Sequence, residues 1–147
     1  MSESSNHQIV ERYMRAFPMD FDVLERLRHP DYIEDWPQSG ERIRGHQNYV
    51  KIHQAYPGGL PEAKTRRIVG SEDRWVTSPS FTIVRINGAG DTYTVEGSLT
   101  YPSGESTHLV AILDLRDGRV AKARHYFADP FTAPEWRAGW VEPIQGD

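Results

Sequence analysis

The chain has 147 residues, no cysteine, 17 basic and 21 acidic residues and a net charge of −4, which excludes a disulfide framework, a thiolate nucleophile and a Cys-based zinc site. The basic residues are scattered along the chain and form no stripe, so neither nucleic acid nor a membrane surface is expected as a partner. No apolar run reaches membrane-spanning length, and the length suits one domain, residues 1–147, with a core of its own.

Ser5-Asn6-His7-Gln8 has a capping-box pattern, and Ile9, Val10, Tyr13, Ala16 and Phe17 then recur at helical spacing as far as Pro18. This predicts a first helix. The segment before it, Met1-Ser2-Glu3-Ser4-Ser5, has neither the basic nor the apolar run of a leader, so a cytoplasmic location is expected. Asp20 can cap a second helix carrying Phe21, Val23, Leu24 and Leu27, which Pro30 stops near His29. Tyr32–Trp36 reads as a short strand, and Pro37-Gln38-Ser39-Gly40 as a turn. Gly45 precedes a third helix with Tyr49, Ile52, His53 and Tyr56 on one face, ended by Pro57-Gly58-Gly59.

From Lys64 to Phe127 the period changes to that of strands: Thr65–Val76, Phe81–Ile86, Thr92–Tyr101, His108–Leu115 and Val120–Phe127. Turn-forming segments such as Asn87-Gly88-Ala89-Gly90 and Arg116-Asp117-Gly118 join them, so neighbouring strands should be antiparallel. Helices first and sheet second give an α+β fold with helices on one sheet face. Tyr93, Val95, Gly97 and Leu99 alternate with Thr94, Glu96, Ser98 and Thr100, which leaves a bare polar face able to support a homodimer. Phe131, Trp136 and Trp140 are too many aromatics for a free end, and Trp136 and Trp140 are expected to cover either the pocket mouth or the partner subunit.

The order of elements, the Val10-Glu11-Arg12-Tyr13 helix, the Ile33-Glu34-Asp35 strand, Gly45 before the third helix and the Asp117-Gly118-Arg119-Val120…His125-Tyr126-Phe127 ending together resemble the nuclear transport factor 2-like superfamily. Within it they resemble the SnoaL-like polyketide cyclase and ketosteroid isomerase branch. The resemblance implies a cone-shaped α+β barrel, three N-terminal helices packed on the concave face of a curved, mainly antiparallel sheet, around one deep apolar pocket. It makes Tyr13 the candidate oxyanion-hole phenol and Asp35 the candidate general base. His53 falls where some members place a second Tyr, and Val110 where the family has a protonated Asp.

His108 shares strand parity with Val110, and a short hairpin would bring it near His125, with His53 and Tyr13 beside them. Imidazoles so placed can move protons near neutral pH. Trp36 and Phe127 are expected as pocket walls, and Trp36 would raise the carboxyl of Asp35 toward the range useful for a base. With no Gly-rich phosphate loop, G-x-S-x-G element or HExxH spacing, neither a cofactor nor a metal is expected. The functional expectation is a cofactor-independent isomerase, cyclase or hydratase-like enzyme, acting by Asp/His proton transfer on a small, mostly apolar carbonyl compound. The alternative is a non-catalytic ligand-binding or dimerising accessory protein.

Overall fold

In the computed structural model, which describes residues 3–57, 67–68, 75–78, 81–101 and 104–144, two helices lead into the sheet and a third caps its first hairpin. Helix α1, Glu3–Ala16, buries Ile9, Val10, Tyr13 and Ala16 of the stripe its periodicity predicts, and Met14 besides. It starts before Ser5, because the buried Asn6 does not cap. Its amide instead donates to the Gly90 carbonyl (2.8 Å) and to Asp91 Oδ1 (3.1 Å), tying the helix to a distant hairpin. Helix α2, Phe21–Leu27, is capped by Asp20, whose carboxylate accepts from the Val23 amide. It ends earlier than Pro30 requires, since Arg28 turns into the core and opens strand β1, Arg28–Trp36. β2, Glu41–Arg44, folds back on β1, and Gly45, at φ 85°, makes the left-handed step into α3, His46–Gln54.

β3, Arg67–Ile68, and β4, Trp75–Ser78, are antiparallel partners, so the stretch read as one strand from Thr65 to Val76 holds two; 69–74 lie outside the described residues. β5, Phe81–Ala89, β6, Thr92–Thr100, β7, Ser106–Arg116, and β8, Arg119–Ala128, continue the sheet. The strand order among the described residues is β2-β1-β8-β7-β6-β5-β4-β3. Every pairing is antiparallel except β1 with β8. Register shifts in four of these ladders bend the strands, and the concave face closes on α1. The fold is therefore the curved α+β cone that the resemblance implies.

One turn sets the site's register. Asp117 and Gly118 both have positive φ (54° and 72°), as a two-residue type I′ hairpin demands. Arg116 then pairs with Arg119, and a bulge at Ala121 on β8, opposite the step from Asp114 to Leu115, shifts the count by one. Beyond it Leu113, Ala111 and Leu109 face inward opposite Ala123, His125 and Phe127. His108 pairs with Ala128, not with His125, and both His108 and Val110 lie on the exposed outer face. The expectation that His108 lies near His125, with Val110 on the same face, is corrected by that register. The tail's 3-10 helix, Glu135–Trp140, buries no residue against its own chain, leaving Trp136 73% and Trp140 82% exposed. Among the described residues no helix is long and apolar enough to cross a membrane.

Candidate functional site

On β1 the side chains alternate strictly, and Tyr32, Glu34 and Trp36 point inward while Ile33 and Asp35 point outward. Glu34 pairs with Ala123 across the parallel ladder, and His125, two residues further along β8, faces Ala111 on β7. The two alanines leave room for the polar side chains between them. Above these lies a cavity of about 240 Å³, small for a ligand pocket. Its apolar walls are Phe17, Trp36, Ile52, Leu99 and Phe127, with Tyr56 and Tyr101 stacked 5.5 Å apart on one side. Its polar lining is Glu34, His53, Thr100, Thr107, His125 and Asp129.

Glu34 is 1% exposed and its carboxylate is fully engaged. Oε1 accepts from the Tyr32 hydroxyl at 2.6 Å, Oε2 from the Trp36 indole at 2.7 Å, and Arg28 Nη2 lies 3.9 Å away. Burial alone would raise this carboxyl, but His125, Arg28 and the two hydrogen bonds outweigh it and hold it below its ordinary value. Glu34 is thus a fixed negative charge. His125, also 1% exposed, places Nδ1 3.3 Å from Glu34 Oε2, yet neither ring nitrogen makes a well-aligned hydrogen bond among the described residues. Burial lowers this imidazole more than the Glu34 charge raises it, so it rests neutral. Phe17 and Phe127 meet the ring edge-on at 5.4 and 5.9 Å.

His53 reaches the same cavity from α3. Its Nδ1 donates to the Tyr49 carbonyl at 2.8 Å, which leaves Nε2 as an acceptor, and burial keeps this ring neutral too. The ring stacks on Tyr49 at 3.8 Å.

Tyr13 does not line the cavity. Its oxygen accepts from Arg28 Nε (3.0 Å) and Nη2 (2.8 Å) and lies 3.1 Å from the Tyr32 hydroxyl. Tyr32 spends its one hydrogen on Glu34, so Tyr13 must donate to Tyr32 and has nothing left for a substrate. Its expected oxyanion role is corrected on that count. Asp35 is corrected by alternation: it sits on the outer face, receiving Arg42 Nε at 2.6 Å and Nη2 at 3.0 Å, with Lys122 3.9 Å away. The Arg42 hydrogen bonds hold its carboxyl below the ordinary value, opposite to the direction expected beside an indole. Of the expected site residues, then, the fold brings together His125, His53, Trp36 and Phe127, and separates Asp35, Tyr13, His108 and Val110 from them.

Glu34 and Arg28 were missed. The signal for Glu34 was in the sequence, because Trp36 as a wall residue requires position 34, not 35, to share its face. Arg28 gave no such signal. It is buried, its guanidinium 3.8 Å over the Tyr49 ring and 4.2 Å over Tyr32, with Nη1 donating to His46 Nδ1 at 2.9 Å. Among the described residues no three His, Asp or Glu side chains are grouped to hold a metal ion.

No family model matches the chain, and no curated protein matches it. Among solved structures it is similar to a nuclear transport factor 2-like protein of unknown function from Burkholderia xenovorans LB400, at 31% identity over 99% of both chains with a TM-score of 0.72. It shares the fold of a candidate ketosteroid isomerase from Kribbella flavida, at 21% identity over 99% of this chain and 93% of that one, TM-score 0.74. A candidate SnoaL-like polyketide cyclase from Jannaschia has the same fold, at 18% identity over 85% of this chain and 86% of that one, TM-score 0.61.

Proposed function

The chain belongs to the nuclear transport factor 2-like superfamily, and we propose that it is a cofactor-independent proton-transfer enzyme, an isomerase or cyclase, acting in the cytoplasm on a small, mostly apolar carbonyl compound. The observation that carries this reading is His125: a neutral imidazole at the wall of an apolar cavity, both nitrogens without a hydrogen-bond partner among the described residues, beside a fixed carboxylate. Leaving a buried polar group unpaired costs about 1–3 kcal/mol. A site that binds and deprotonates a ligand gives that cost a purpose.

In the proposed step His125 Nε2 takes a hydrogen from the carbon next to the carbonyl. The C–H bond breaks, an N–H bond forms, and the electron pair moves into an enolate. The imidazolium so formed faces Glu34, whose charge balances it at 3.3 Å. The proton then returns to the same or another carbon, from His125 or by way of His53. Because Tyr13 supplies no donor to the enolate oxygen, suitable substrates carry an already acidic α-hydrogen. The test is deuterium exchange into 2-tetralone in D2O, followed by NMR: wild type should exceed the buffer rate and His125→Gln should fall about 10²-fold or more toward it. Wild-type exchange at the buffer rate would refute catalysis on this class. The engagement of Tyr13 also favours a second reading, ligand binding without turnover, which binding of 2-tetralone with no exchange would select.

We also propose that a second copy covers the outer face, where Val110 and Tyr126 are cross-strand partners and both exposed. Light scattering should give a dimeric mass that Tyr126→Glu reduces. A monomeric wild type would retire the homodimer.

A further inference from the structure

Thr107 carries a second unpaired polar atom in the same cavity. The residue is 4% exposed, and its hydroxyl has no hydrogen-bond partner among the described residues. It lies on β7 next to Leu99 of β6, and it lines the cavity together with His125. Position 111 of β7 faces His125, so Thr107 is four residues, roughly 13 Å, from His125 along the strands. Subtracting two hydrogen bonds of about 2.9 Å leaves roughly 7 Å between two polar atoms of one ligand reaching both ends. That is the span of a fused two-ring skeleton bearing a polar group at each far end. The charges of the cavity restrict the ligand further. Besides the phenols of Tyr56 and Tyr101, its ionisable lining is Glu34, Asp129 and two imidazoles, with no Lys or Arg among the described lining residues. Arg28 is already engaged with Tyr13 and His46 behind Glu34. A carboxylate or phosphate would therefore meet two acids and no available cation.

We infer that the pocket takes an uncharged bicyclic carbonyl compound with a hydroxyl or second carbonyl at its far end, and that the buried Thr107 hydroxyl is the specificity-determining residue that holds that group while the reacting end lies at His125. This rests on the reading of His125 as the reacting end, but its test needs binding alone. The probes are 6-hydroxy-2-tetralone, 2-tetralone and 6-carboxy-2-tetralone, titrated calorimetrically against wild type, Thr107→Val and Thr107→Ser.

Wild type should bind the hydroxy ketone roughly tenfold more tightly than 2-tetralone, because one buried hydrogen bond is completed. Thr107→Val should erase that ratio and leave 2-tetralone affinity unchanged, and Thr107→Ser should restore it. The carboxylate should bind more weakly than either. Valine fills the same space without an unpaired hydroxyl, so its melting temperature should not fall. Equal affinity of wild type for the two neutral ketones, equal losses of both in Thr107→Val, no binding of the hydroxy ketone, or tighter binding of the carboxylate would each overturn the inference. A preserved Thr107 ratio with no deuterium exchange would leave the inference standing and sink only the catalytic reading.

Discussion

Glu34 and Asp35 are neighbours in sequence with the same functional group, and the strand sends them to opposite worlds. Glu34 looks into the cone, held by a phenol, an indole and the charge of Arg28. Asp35 looks outward, with 19% of its side chain exposed, paired with Arg42, which is about half exposed itself. Both carboxyls are held below their ordinary values, but for different reasons. Inside, a fixed environment outweighs a desolvation penalty; outside, an ion pair forms in solvent, where such pairs contribute little. A shifted acid therefore says little about function until the face it occupies is known.

The comparison can be broken most forcefully at the cations. Arg28→Met should cost about 3–5 kcal/mol in urea denaturation, because it strands the buried Glu34 charge and removes two donors from Tyr13. Arg42→Met on the outer face should leave the urea midpoint close to wild type. Equal losses would mean that the two faces do not differ as described.

Acid sharpens the contrast in a second way. An imidazole held below its ordinary 6.5 binds fewer protons folded than unfolded, so its contribution to stability is complete above that value and lost as pH falls through the lowered one. Glu34, held below 4.5, has the same sign in a more acidic window. Stability should thus decline in two stages on acidification, and His125→Gln should flatten the first stage, just below pH 6.5, in thermal melts. Exchange activity should fall over the same first stage, since the base must be neutral. The smallest effect is expected at His108, exposed on the outer face: His108→Ala should change stability by less than about 0.5 kcal/mol and leave exchange untouched.

The helices, the change of period and the strands on either side of the Asp117-Gly118 turn were legible because each has a local cause: an apolar stripe, a cap at Asp20, a turn that only certain residues make. His53, Trp36, His125 and Phe127 were legible for the same reason. His108 and Val110 were misplaced because one extra residue on β8, Ala121 between Val120 and Lys122, shifts which β7 positions share a face with His125, and no local pattern announces a bulge. Tyr13 was correctly placed inside the core, but its role depends on Arg28 and Tyr32, contacts 15 and 19 residues away that spacing cannot supply. Asp35 was preferred by motif over Glu34, although strand alternation with Trp36 already favoured the latter.

The most direct measurement sets the two neighbours side by side: deuterium exchange into 2-tetralone, across pH, by Glu34→Gln and Asp35→Asn. Asp35→Asn should exchange like wild type. Glu34→Gln should slow exchange markedly and move its acid limb to lower pH, because the neighbour that raises His125 is gone. A slow Asp35→Asn beside a fully active Glu34→Gln would contradict both expectations.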